Sequence, residues 1–193
     1  MNYLRFFSDY TVIDLETTGL DPKRDEIIEI GAAQVRDGMI MRTYNTLIRP
    51  KAPITEFITN LTGISQLDVA DAPIIEDVID DFLGFVGDDI IVGHNVGFDI
   101  SFINEVRRFD PDISDTMRIS RSLFPMEPHH KLSNLREWFG IKSTHTHRAL
   151  DDVLATNQAY IALKQYAEEN GTTEEKMIVG ERKWRELRIK KDA

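Results

Sequence analysis

Residues 12–20 read VIDLETTGL. Val12, Ile13 and Leu15 are the side chains of a covered strand, yet Asp14 and Glu16 place two carboxylates in the same run. Residues two apart on a strand point to one face, so the two acids project together a few ångströms apart. Like charges so placed repel, and each loses hydration if the face is covered. An edge strand with a polar outer face would also account for the pattern. The apolar company and the Thr17-Thr18-Gly19 turn favour instead a strand that delivers its last side chains to the rim of a sheet, where sites are built. A divalent cation would relieve the repulsion, because hard ions such as Mg²⁺ take carboxylate, water and phosphate oxygens.

Outward from this stretch the chain alternates strand and helix patterns. Tyr10–Glu16 reads as the first strand, and Ile27–Arg36 as the second. Asp37-Gly38 signals a hairpin turn, and Met39–Ile48 is the return strand. Helical periodicity covers Thr55–Leu61 and Ile74–Val86, then Phe98–Phe109, Met117–Phe124, Leu132–Phe139 and Arg148–Glu168. A short apolar run, Asp89–Val92, and a brief segment, Ile113–Asp115, complete five strands. The order predicts an α/β fold: a mixed five-stranded sheet, its first three strands antiparallel, flanked by helices. Asn170-Gly171 closes the long helix, which suggests a domain over residues 1–170 and a helical tail over 171–193. On that tail Trp184 and Leu187 share a helical face, with Met177 and Val179 nearby. The tail either packs back on the domain or docks a partner subunit.

Composition narrows the function. The chain has 193 residues, 41% hydrophobic, with a formal net charge of −10. Residues 181–193 carry six basic and three acidic side chains, so the body before them is more negative still. Such a surface disfavours a wide, sequence-independent grip on nucleic acid. It leaves room for a short single strand in a narrow cleft whose positive charge comes from metal ions. Cysteine is absent, which excludes disulfides and thiolate chemistry and suits a reducing compartment. No apolar run is long enough to span a bilayer and the N-terminus lacks a signal-peptide pattern, so a cytoplasmic protein without a membrane partner is expected.

Further acids would have to join Asp14 and Glu16. Asp99 in HNVGFDISF follows a strand and opens a helix. HRALDD, residues 147–152, offers His147 before a helix and Asp152 in its early turns. Five positions on one helix lie about 140° apart, so the two converge only if His147 sits on the loop. Spacing alone does not choose between Asp152 and Asp151, or between His147 and His145.

Together these segments resemble the DEDDh 3′–5′ exonuclease family, which includes proofreading exonucleases of the DNA polymerase III epsilon type. DLETTG matches the D-x-E-x-T-G motif, HNVGFD matches H-N-x-x-F-D, and HRALDD matches H-x-A-x-x-D. Weaker matches are LTGI at 61–64, DT at 115–116 and HKLSNLREWFGI at 130–141; the likeness spans about residues 8–168. It selects Asp152 over Asp151 and His147 over His145. It implies a ribonuclease-H-like fold and two Mg²⁺ or Mn²⁺ ions held by Asp14, Glu16, Asp99 and Asp152, with His147 taking the proton from the attacking water. It also implies substrate contacts from Thr17, Leu20, Thr62 and Phe98: a wedge from Leu20, stacking on Phe98 and hydrogen bonds from the threonines to the terminal sugar. The expected activity is removal of nucleoside 5′-monophosphates from the 3′ end of single-stranded nucleic acid, DNA before RNA, in proofreading or repair. The expected partner is a DNA polymerase or another subunit, met through the tail. An RNA-directed exonuclease of the same family is the alternative, and a non-catalytic binding module with this fold is the alternative of another class.

Overall fold

The computed structural model describes residues 4–142 and 148–189. The first strand, β1 (Tyr10–Thr17), lies at the centre of a five-stranded sheet of order β3-β2-β1-β4-β5. The edge-strand reading of Asp14 and Glu16 is thereby set aside. β2 (Ile27–Arg36) runs antiparallel to β1, and β3 (Met39–Leu47) antiparallel to β2. β4 (Ile91–Gly93) runs parallel to β1, and β5 (Ile113–Asp115) parallel to β4. The turn between β2 and β3 takes positive φ at both Asp37 (48°) and Gly38 (77°), which matches the right-handed twist of a two-residue hairpin.

Alternation along β1 divides the core. Ile13 and Leu15 face α2 (Ile75–Val86) and α3 (Gly97–Val106), packing with Val78, Phe82, Phe102 and Ile103. Tyr10 and Val12 face the other layer, made of α4 (Thr116–Leu123), α5 (Leu132–Phe139), α6 (Ala149–Glu169) and α7 (Glu174–Ile189), and pack with Ile119, Leu135, Val153, Tyr160, Leu163 and Met177. A smaller cluster of Ile28, Ile58, Ile64 and Val69 seats α1 (Glu56–Thr62) beside β2.

α3 is shorter than the expected Phe98–Phe109. Arg107 is already extended, and Asn104 turns the chain back by accepting from the Phe109 amide and donating to its carbonyl. The fourth strand starts at Ile91 instead of Asp89, whose carboxylate is engaged by the Arg36 guanidinium and the Thr11 hydroxyl.

Two glycines set how closely helices approach. A Cβ at Gly31 would stand 2.5 Å from the Ala149 carbonyl carbon, so the bare backbone of β2 lets the start of α6 rest on the sheet. A Cβ at Gly180 would stand 2.0 Å from the Ser122 carbonyl oxygen, so α7 crosses α4 in backbone contact. Beside that crossing, Met177 is fully covered, Trp184 lies under the Arg121 guanidinium and edge-on to His130, and Arg118 pairs with Glu181. Val179, expected near the same face, points to solvent. Among the described residues no helix is long and apolar enough to cross a membrane.

Candidate active site

Asp14 and Glu16 continue the Tyr10–Val12 side of β1 beyond the point where helices cover it. Asp152 comes from the first turn of α6, which Gly31, the cross-strand partner of Asp14, allows to sit against the sheet. One ligand oxygen from each of Asp14, Glu16 and Asp152 lies within 4.8 Å of the others. Asp152 is the buried member of its pair with Asp151 and the one that joins this group. Asp99, in the first turn of α3, is also buried, and its Oδ1 accepts from the Leu15 amide at 3.0 Å. Leu15 lies on β1 between Asp14 and Glu16, so this bond holds Asp99 alongside the strand that carries them.

The motif residues around Asp99 have a structural reason. Asn95 takes φ 67°, a left-handed conformation that asparagine tolerates, and so turns the chain from β4 into α3. Its amide donates to Asp115 Oδ1, which also caps α4 through the Met117 and Arg118 amides. His94 Nδ1 meets the Thr116 hydroxyl at 2.9 Å. The Asp115-Thr116 pair therefore fixes the turn that aims Asp99.

Electrostatics mark the cluster as incomplete without cations. Burial, then Asp99, Asp152, Glu16 and Glu29, push the Asp14 carboxyl far above the usual carboxylate range. Burial and then Asp152 push Glu16 up to about 8. Burial pushes Asp99 up to about 8 against the pull of two backbone amides. An all-oxygen set of three converging carboxylates with a fourth alongside fits hard divalent cations such as Mg²⁺ or Mn²⁺.

These shifts give a pH dependence of stability. An acid whose folded pKa is raised holds its proton in the folded chain while the unfolded chain has lost it, so its contribution falls as pH rises through the folded value. Glu16 and Asp99 titrate near 8, whereas burial lowers His94 and His130 to about 4, so both are neutral in the folded chain and their opposing effect fades as the unfolded histidines lose their protons above 6.5. The melting temperature of metal-free protein is therefore expected to fall by several degrees between pH 6.5 and about 8.5. Saturating Mn²⁺ should remove that slope. Calorimetric melts in EDTA and in Mn²⁺ read both; a rise with pH in EDTA would contradict the buried-acid origin.

His147 and His145 lie outside the described residues. Thr17 is buried, its hydroxyl donating to the Gly19 carbonyl at 2.6 Å. Thr62 is buried in α1, donating to the Ile58 carbonyl and accepting from the Ile64 amide. Both threonines have spent their hydroxyl protons, so toward a sugar either can act only as an acceptor. Leu20 is 84% exposed. Phe98 is half-buried, with its ring against Phe102 at 4.9 Å between centroids.

Two arginine pairs at this site were not anticipated. Glu29, with no exposed surface, sits opposite Glu16 on β2. Its carboxylate accepts from Arg148 Nη2 at 2.9 Å, from Arg148 Nε, and from the Ala149 amide at 3.0 Å, which pins the start of α6. An acid inside the run IIEIGAAQV was the available signal. Arg136 on α5 donates to Asp152 Oδ1, both side chains being 12% exposed. Nothing in the sequence marked that arginine.

Comparison with known proteins gives the chain relatives in sequence and in fold. The family model described as Exonuclease (RNase_T) matches residues 11–160. The DNA polymerase III subunit epsilon of Aquifex aeolicus is 38% identical over 160 residues, which is 80% of this chain and 79% of that protein. The PolC-type DNA polymerase III of Caldanaerobacter subterraneus is 38% identical over 188 residues, 95% of this chain but 13% of that protein, so the chain spans about an eighth of such relatives. Among solved structures, exonuclease X in complex with 5′ overhanging duplex DNA is 30% identical, with a TM-score of 0.66 and coverage of 89% of this chain and 99% of that one. Escherichia coli exonuclease I bound to a dT13 oligonucleotide shares the fold, at 17% identity, a TM-score of 0.74 and coverage of 84% and 42%.

Proposed function

Since the chain belongs to the RNase_T exonuclease family, we propose that it hydrolyses the terminal phosphodiester at the 3′ end of single-stranded nucleic acid, DNA before RNA, and releases nucleoside 5′-monophosphates. The observation that carries this reading is the convergence of Asp14, Glu16 and Asp152 from opposite ends of the chain into one group of ligand oxygens. When bound, a pair of divalent cations supplies an activated water and charge for the leaving 3′ oxygen. Asp14, Glu16 and Asp152 would hold one ion. Asp14 would also reach the other, with Asp99 in support, its carboxylate steadied by the Leu15 amide. His147, which precedes α6 in the sequence, would accept the proton of the attacking water, a role to which imidazole as a side-chain type is suited. Leu20 stands free to wedge against the terminal base, and the exposed part of the Phe98 ring offers a stacking surface that tolerates any base.

The setting we propose is cytoplasmic proofreading or repair, because similar chains carry polymerase III names. We further propose residues 1–170 as the exonuclease domain and 171–193 as its helical tail. One face of α7 is occupied by α4, so a polymerase contact through the tail would use the outer face, where exposed Arg182, Lys183 and Arg185 stand with Glu186.

The test uses 5′-labelled single-stranded DNA, single-stranded RNA and a frayed duplex, each with Mg²⁺, Mn²⁺ or EDTA. A ladder shortening from the 3′ end is expected with either ion and none with EDTA. Degradation from the 5′ end, or activity that survives chelation, would sink the proposal.

A further inference from the structure

The contact between Arg136 and Asp152 bears on how the site takes up metal. Asp152 Oδ1 accepts from Arg136 Nη2, and each side chain is largely covered. Arg136 comes from α5 and Asp152 from α6, so the pair bridges two helices beside the acid cluster. Arg136 Nε is buried and has no hydrogen-bond partner among the described residues. The arginine is thus committed to the carboxylate by one edge of its fork while the Nε edge gains nothing, an arrangement that costs desolvation without full hydrogen bonding. Helix packing alone would be better served there by an apolar side chain.

Charge gives the arrangement a purpose. Glu29 is matched by Arg148, so that pair adds no net charge. One ligand oxygen from each of Asp14, Glu16 and Asp152 lies within 4.8 Å of the others, with Asp99 alongside, so these carboxylates cannot all ionise without a nearby positive charge. We propose that Arg136 is the resident counter-charge of the acid cluster: it neutralises Asp152 whenever no divalent cation is bound, and by competing for that carboxylate it sets the cation concentration at which the site loads. It acts as a positioning residue, through Asp152 and not on substrate, and the inference rests on Asp152 being a metal ligand as proposed above. A cation and a guanidinium sharing one carboxylate repel each other in a poorly solvated site, so the arginine weakens metal binding while stabilising the metal-free fold.

The experiment titrates Mn²⁺ into the full chain and reads bound ion by calorimetry and by loss of the free-ion paramagnetic resonance signal. Arg136→Met is expected to bind Mn²⁺ about tenfold more tightly than the parent, the scale of one nearby charge in a partly shielded site. Melts in EDTA should show the same variant less stable than the parent, and melts in Mn²⁺ should close most of the gap. Arg136→Lys, which keeps the charge, should stay near the parent in affinity. Equal or weaker Mn²⁺ binding by Arg136→Met, or an equal change in Arg136→Lys, would overturn the inference. If Arg136→Met does not fold, Arg136→Gln gives the same comparison with a neutral side chain that can still donate to Asp152. A parent protein that binds no Mn²⁺ would instead refute the underlying reading of the site, so the two failures are distinct.

Discussion

Asp14→Asn is expected to lower exonuclease turnover by roughly three orders of magnitude or more while raising the melting temperature of the metal-free protein. Asp14 is the carboxylate that all its acidic neighbours act upon: Asp99, Asp152, Glu16 and Glu29 each push its pKa upward in addition to burial. In the metal site proposed above it would be the ligand shared between the cations, and among the described residues no neighbouring carboxylate stands where it could replace it. In EDTA the same crowding works against folding. The unfolded chain ionises Asp14 freely, so folding at neutral pH requires either proton uptake or a buried charge among like charges. Asparagine keeps the shape and removes that cost, and the gain grows as pH rises. Turnover on a labelled oligonucleotide and melts in EDTA at two pH values check both halves. More than a tenth of parental activity, or a lower metal-free melting temperature, would contradict the central placement of Asp14.

Truncation after Gly171 is expected to lower the melting temperature by about 10 °C or more, or to prevent folding. Met177 is sealed in the same cluster as Leu163, Leu135 and Ile119, and covering such a side chain is worth about 1.5–3 kcal/mol. Trp184 closes over Arg121 and His130, and Glu181 is held by Arg118 and Arg185. Together these contacts come to about 5 kcal/mol, the lower end of the whole stability of a domain. For a chain of this length each kcal/mol moves the melt by about 2–4 °C. Gly180→Val, which drives a side chain into the Ser122 carbonyl, should reproduce part of the loss. If the truncated chain melts like the parent, α7 is an appendage and the docking reading of the tail gains.

The site was legible where local chemistry exposed it. Two acids at strand spacing in an apolar run placed Asp14 and Glu16 on one face, and the Asp37-Gly38 turn marked the β2–β3 hairpin, whereas the central place of β1 comes from its parallel pairing with the distant β4. Asp99 stood out as an acid opening a helix just after a strand. What stayed hidden depends on partners distant in the chain. Arg136 and Asp152, sixteen positions apart, meet only because α5 and α6 pack side by side. Glu29 and Arg148 are 119 apart and meet only because Gly31 admits α6. The tail's preference for Met177 over Val179 was equally unreadable, since a helical face acquires meaning from what lies under it.

The docking of α6 on the bare backbone at Gly31 also orders events during biosynthesis. The central strand leaves the ribosome well over a hundred residues ahead of Asp152, which takes its place only when the long helix has formed and settled. Pairing over such a separation is a late step in folding. A nascent or half-folded copy therefore carries Asp14 and Glu16 without their third companion, and the proposed cation site comes into being only after that docking.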